Sequence, residues 1–109
     1  MSKFVKKFFK EQMKGETTLR VLGNLEPERV FYYFEEISGI PRGSYNVKAV
    51  SDYCVGTARS LGLEVRQDEA YNVVIKKPAS PGYGPSPALM LQGHLDMVAT
   101  KTARSTHDF

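Results

Sequence analysis

The chain has 109 residues, the usual size of one domain, and its hydrophobic fraction of 41% and charged fraction of 25% argue against wholesale disorder and against a fibrous architecture. Its net charge of +3 comes from one end, because residues 1–20 hold six Lys or Arg against two Glu, whereas residues 21–109 hold nine against ten Asp or Glu. The globular part therefore lacks the clustered basic side chains that a nucleic-acid-binding surface needs.

The cysteine content and the apolar runs indicate the compartment. Cys54 has no second cysteine with which to form an internal disulfide, and no Cys/His cluster suggests a thiolate zinc site. No apolar run approaches the ~20 residues that span a bilayer. Lys6, Lys7 and Lys10 interrupt the apolar core that a secretory signal requires. We therefore expect a cytoplasmic protein without a membrane span.

The first predicted element is a short, basic, amphipathic helix within residues 1–20. Its apolar residues recur at helical spacing among lysines, and Gly15 interrupts the pattern. We interpret this segment as an extension that is not part of the fold. The alternative is weak adsorption to an anionic membrane surface or to a partner. The apolar residues are Phe4, Val5, Phe8, Phe9 and Met13.

Two core helices are predicted next. The first starts at Pro27, a residue type that suits the first helical turn, and ends before Gly39. The second runs from about Asn46 to Leu61, with Gly62 as its terminator. We interpret Cys54 as a small buried hydrophobe rather than a nucleophile. The apolar stripe of the first helix is Val30, Phe31, Phe34 and Ile37, and that of the second is Val47, Val50, Cys54, Ala58 and Leu61.

Strands are predicted in the second half of the chain. Residues 63–66 and 72–76 alternate like half-buried strands around a turn, which indicates a hairpin. Residues 78–87 hold four of the six prolines and are predicted to form an irregular loop. The apolar run Ala88–Leu91 is typical of a strand that is buried on both faces of a sheet. The predicted fold class is therefore α/β.

The motif Gly93-His94-Leu95-Asp96-Met97 directly follows this predicted buried strand. Open α/β sheets bind ligands beyond the carboxyl ends of their strands, so His94 lies where such a fold places a site. Residues two apart on an extended chain face the same side, and Asp96 can therefore accept a hydrogen bond from the His94 ring. Metal-bound histidines usually have such a partner. The alternative is a purely structural hydrogen bond, because His-x-Asp pairs are common.

Four stretches of the chain carry a resemblance to a known family. They are Leu25–Ile37, Ile40–Ser44, Val50–Tyr53 and Leu91–Val98, and the match covers roughly residues 21–98. Together they resemble the co-catalytic zinc exopeptidases, which include aminoacylases and carnosinases. Within that family they are most similar to the bacterial aminoacyl-histidine (Xaa-His) dipeptidases, also called cytosolic non-specific dipeptidases.

The resemblance implies roles for two residues of the motif. It assigns His94 as a ligand of one of two zinc ions and Asp96 as the carboxylate that orients the imidazole. It also implies a metallo-dipeptidase that hydrolyses small dipeptides such as aminoacyl-histidine, with a mixed-sheet catalytic domain, a second domain that serves as lid, and a homodimer in the complete enzyme.

The sequence also departs from the family pattern. The bridging aspartate, the Glu-Glu pair with the general base and the remaining ligands of the family all follow the first motif, and none has a counterpart in these 109 residues. Glu35 and Glu36 precede the motif, and we interpret them as a solvated helix edge. The resemblance gives no metal role to His107 or Asp108.

We therefore expect residues 21–109 to be the incomplete N-terminal portion of a zinc-exopeptidase catalytic domain, with the lid domain absent. With at most one partial metal site, the chain alone is predicted to bind zinc weakly and to hydrolyse no dipeptide. The alternative is a non-catalytic small α/β remnant, or a binding module that uses the basic N-terminal helix.

Overall fold

The computed structural model describes residues 20–106. Within this range it contains helix α1 (Glu28–Ser38), helix α2 (Lys48–Ser60), strand β1 (Glu64–Gln67) and strand β2 (Val73–Lys76). The chain divides into two units, of which the first ends at Gly39 and the second begins at Ile40. The basic helix predicted at the N-terminus falls on residues outside the described range, and so do His107 and Asp108. No helix of the described range is long and apolar enough to cross a membrane.

Helix α1 belongs to the first unit, and its ends lie where the sequence predicts them. Pro27 precedes the helix and its carbonyl accepts a hydrogen bond from the Val30 N–H at 3.0 Å, while the Gly39 N–H donates to the Glu35 carbonyl at 3.2 Å. The prediction that α1 is a core helix is wrong, because none of its residues is buried and Val30 and Phe34 are exposed. The apolar stripe needs a facing surface, and residues 20–39 contain no other described helix or strand.

Helix α2 carries the small core of the second unit. Its buried residues are Val50, Ser51, Val55 and Ala58, so the predicted face is correct at Val50 and Ala58 and wrong at Leu61, which is exposed. Cys54 is half-buried, and burial raises the pKa of its thiol. A thiol with a raised pKa stays protonated and is a poor nucleophile.

Gly62 ends α2, as predicted. Its φ of +72° lies in the left-handed region that glycine adopts without steric cost. The Gly62 N–H donates to the Arg59 carbonyl at 3.0 Å, and the Leu63 N–H donates to the Ala58 carbonyl at 2.9 Å. This pair of hydrogen bonds is the Schellman motif, which satisfies carbonyls at the helix end and directs the chain into β1.

Strands β1 and β2 form the predicted antiparallel hairpin. Glu64 lies opposite Lys76, and Gln67 lies opposite Val73. Asp68 closes the turn between them, because its Oδ1 accepts the N–H groups of Ala70 at 2.9 Å and Asn72 at 2.8 Å. Its Oδ2 accepts the side-chain amide of Asn72 at 2.8 Å. Aspartate is favoured in such turns because its side chain can bind backbone N–H groups two or more residues on.

The Asp68 turn makes the stability of the second unit depend on pH. Hydrogen bonds from the side chain and the backbone of Asn72 lower the pKa of Asp68 below its usual value. A carboxyl group whose pKa is lower in the folded state stabilises that state above its ordinary pKa, and the stabilisation is lost as the pH falls through the lowered value. We therefore expect the free energy of unfolding to fall as the pH drops below about 4.

Urea unfolding at several pH values between about 6 and about 2 tests this prediction. In the variant Asp68→Asn the amide oxygen can still accept the two backbone N–H groups but carries no charge, so we expect a flatter pH dependence. Glu69→Gln, in the same turn, removes a charge from an exposed side chain and serves as the control. An Asp68→Asn variant with the same pH dependence as the unchanged chain would contradict the prediction.

The prediction of a buried strand at Ala88–Leu91 is wrong. These residues belong to no strand, and Leu89, Met90 and Leu91 are 85%, 87% and 88% exposed. A strand that is buried on both faces needs neighbouring strands and covering helices, whereas the sheet of the described residues consists of β1 and β2 alone. The preceding loop is irregular, as predicted, with turns closed by the N–H groups of Tyr83 and Ser86.

Candidate metal-ligand site

Backbone pairing connects the predicted motif to a segment that lies far away in the sequence. The Met97 N–H donates a hydrogen bond to the Arg42 carbonyl at 2.9 Å, and Met97 pairs with Gly43 as in a parallel sheet. The approach is close, because a Cβ atom at Gly43 would lie 3.2 Å from the Ala99 Cβ. A side chain at this position would therefore require Ala99 to move by a few tenths of an ångström.

Asp96 binds a different partner with each of its carboxylate oxygens. Oδ1 lies 3.0 Å from the His94 Nδ1, and Oδ2 accepts a hydrogen bond of 2.7 Å from the Ser44 hydroxyl. The Ser44 hydrogen bond, and after it the His94 contact, lower the pKa of Asp96 below its usual value. The carboxyl group is therefore ionised at neutral pH and acts only as an acceptor.

The contact with Asp96 determines the proton position on the His94 ring. An ionised carboxylate cannot donate a hydrogen, so the shared hydrogen belongs to Nδ1. In the neutral ring Nε2 then carries the free lone pair, which is the form in which imidazole binds a metal ion. The side chain of His94 is 75% exposed, and its contact with Asp96 is made through Nδ1.

The donor set within the described residues is incomplete. Residues 20–106 contain no group of three or more His, Cys, Asp or Glu side chains that could hold a metal ion. A zinc site needs three or four ligands from the protein. The donor chemistry of His94 fits one of these ligands, and Asp96 fits the carboxylate that orients it.

Glu35 and Glu36 have structural partners of their own. The Glu35 carboxylate accepts the Val21 N–H at 2.7 Å, and the Glu36 carboxylate binds the Arg20 guanidinium at 2.7 Å. The guanidinium also lies 3.9 Å from the centroid of the Tyr32 ring. Both hydrogen bonds are exposed, which agrees with the interpretation of a solvated helix edge, and they also fasten residues 20 and 21 to α1.

Ser44 is the residue that the sequence analysis did not assign to the site. It lies in the family-like stretch Ile40–Ser44, but it is separated from Asp96 by 52 positions. No local spacing pattern connects residues so far apart. The resemblance of the stretches around Ser44 and around Asp96 to one family was the available signal that both could serve one site.

The comparisons with known proteins give one similarity. The chain is 38% identical over 88 residues to the cytosol non-specific dipeptidase of Escherichia coli (strain K12), and the match covers 81% of this chain and 18% of that protein. The chain thus spans about a fifth of the length of this relative. No family model and no solved structure matches the chain. The similarity to the curated protein supports a relationship between this chain and the dipeptidase family.

Proposed function

We propose that the chain is part of a zinc-dependent dipeptidase and that it supplies one metal ligand, His94, together with its orienting carboxylate, Asp96. The substrates are small dipeptides, aminoacyl-histidine among them, and the compartment is the cytoplasm. The observation that carries the proposal is the His94–Asp96 contact, which engages Nδ1 and so puts the lone pair of the neutral ring on Nε2. The 38% identity to a cytosolic dipeptidase supports the choice of reaction.

The residues of this chain prepare the ligand for its role. The Asp96 carboxylate holds the proton on Nδ1, so that the lone pair of the neutral ring lies on Nε2 of a side chain that is 75% exposed. A pair of zinc ions held by His94 and by further ligands would supply activation of a water molecule and polarisation of the scissile carbonyl of the peptide. Both effects require ligands in addition to His94.

The proposal assigns residues 21–109 to the first part of a catalytic domain and residues 1–20 to an extension. In the complete enzyme a lid domain and a homodimer accompany this part. Since one histidine supplies one ligand, we expect the 109 residues alone to bind zinc weakly and to hydrolyse no dipeptide. Hydrolysis of a Gly-His dipeptide by the purified chain, lost in His94→Ala, would contradict the expected inactivity.

Zinc binding by the 109-residue chain tests the assignment of His94. Competition with a chromophoric zinc chelator gives the dissociation constant, and we expect His94→Ala to weaken it by about tenfold or more, because the variant lacks the prepared ligand. His107→Ala removes the other histidine of the chain and serves as the matched control. Equal affinities for the unchanged chain and His94→Ala would rule out the assignment.

A further inference from the structure

We propose that Ser44 is a positioning residue, which fixes the Asp96 carboxylate and thereby holds the His94 ring with its proton on Nδ1. The inference rests on the proposed function for the identity of the ligand, but its geometry is independent of the metal. It adds a third residue to the pair His94 and Asp96, and this residue is separated from Asp96 by 52 positions in the sequence.

The first observation is that both oxygens of Asp96 are bound. A carboxylate held at one oxygen can still rotate about its last side-chain bond, whereas two hydrogen bonds to different oxygens define its plane. The Ser44 hydroxyl binds Oδ2 at 2.7 Å and His94 Nδ1 binds Oδ1 at 3.0 Å. Ser44 therefore turns Oδ1 towards the ring.

The second observation is that the backbone places Ser44 beside Asp96. The Met97 N–H donates a hydrogen bond of 2.9 Å to the Arg42 carbonyl. Met97 directly follows Asp96, and Arg42 lies two residues before Ser44. The side-chain contact and the backbone contact thus connect the same two segments. The backbone contact therefore keeps the Ser44 hydroxyl close to the Asp96 carboxylate.

The third observation is that the Ser44 hydroxyl does not cap the helix that follows it. A serine shortly before a helix often caps the helix with its hydroxyl. In this structure α2 begins at Lys48, its N-cap residue is Val47, and no side chain caps it. The Ser44 hydroxyl is bound to Asp96 instead.

The tautomer of His94 reports the positioning directly. Long-range proton–nitrogen correlation spectra of the ¹⁵N-labelled 109-residue chain at about pH 8, where histidine is neutral, distinguish Nδ1–H from Nε2–H. We expect mainly Nδ1–H in the unchanged chain and a loss of this preference in Asp96→Ala. For Ser44→Ala we expect the ratio of the two tautomers to fall by about threefold, the size of effect that an exposed hydrogen bond to a charged group gives.

Two variants control the measurement. Ser44→Thr keeps the hydroxyl and is expected to keep the ratio of the unchanged chain, whereas Ser86→Ala makes the same chemical change in the irregular loop. The proposal is overturned if Ser44→Ala keeps the original ratio while Asp96→Ala loses it. It is also overturned if Ser44→Ala abolishes the protection of the Met97 amide from hydrogen exchange, because the effect would then be a loss of the backbone contact.

The zinc-binding and tautomer measurements together distinguish a failure of this inference from a failure of the proposed function. If His94→Ala binds zinc as tightly as the unchanged chain, the metal role of His94 fails, but a tautomer change in Ser44→Ala still establishes the positioning. If the tautomer is insensitive to Ser44 while His94→Ala loses zinc, the ligand assignment stands and the role of Ser44 is disproved. A chain without the Nδ1–H tautomer would overturn the positioning role outright.

Discussion

Val50→Asp is expected to abolish the cooperative unfolding transition of the second unit. Val50 is 0% exposed and is one of three buried apolar residues within the described part of the chain, together with Val55 and Ala58. Burying an unpaired carboxylate costs several kcal/mol even after relaxation, whereas whole domains are stable by only about 5–15 kcal/mol. A core of three small side chains cannot offset such a cost.

Urea unfolding followed by far-UV circular dichroism measures this effect. Val98→Asp is the matched control, because Val98 is 75% exposed and its replacement places the new carboxylate in water. We also expect Val50→Ala to lower the free energy of unfolding by about 1–3 kcal/mol, because it leaves a cavity. If Val50→Asp and Val98→Asp unfold at the same urea concentration, Val50 is not in the core.

Ser51→Ala is expected to lower the free energy of unfolding by about 1–3 kcal/mol, because it removes two hydrogen bonds that contribute about 0.5–1.5 kcal/mol each. Ser51 is fully buried, and its hydroxyl donates to the Tyr71 carbonyl at 2.8 Å and accepts from the Gln67 side chain at 2.7 Å. Tyr71 has a φ of +66°, which a tyrosine adopts only when its surroundings hold it there. The hydroxyl therefore links α2 to both sides of the hairpin turn.

Ser60→Ala provides the comparison for this prediction. Ser60 lies in the same helix, and its hydroxyl donates to the Thr57 carbonyl at 2.8 Å, a local contact whose loss alanine offsets by its better helix propensity. We expect the urea midpoint to fall for Ser51→Ala and to stay near that of the unchanged chain for Ser60→Ala. Equal midpoints for the two variants would show that the buried hydroxyl does not stabilise the unit.

Local patterns predicted the parts of the fold that depend on neighbouring residues. The hairpin follows from alternation and from the turn chemistry of Asp68, and the end of α2 follows from Gly62. The buried strand was predicted wrongly at Leu89–Leu91. An apolar run indicates that a segment favours burial, but it does not show whether the chain contains the strands and helices that would cover it. The apolar stripe of α1 was also predicted wrongly as part of a core, because the described residues of its unit provide no surface that buries it.

Local spacing likewise predicted one contact of the candidate site and could not predict another. His94 and Asp96 are two residues apart, so the period of an extended chain was enough to predict their contact as a geometric possibility. Ser44 joins them across 52 positions, and only the folded backbone brings it there. The roles of His94 in metal binding and of Asp96 as its orienting carboxylate remain predictions until zinc binding is measured.

The hydrogen bond between Met97 and Arg42 also bears on the order in which the second unit folds. It closes a loop that contains the whole of α2 and the hairpin, and the entropic cost of closing a loop rises with its length. Helix α2 and the hairpin are built from contacts between near neighbours, so we expect them to form first and to shorten the distance that the loop must bridge. We therefore expect the candidate ligand to be assembled late in folding and to be the part of the unit that opens first under mild denaturing conditions.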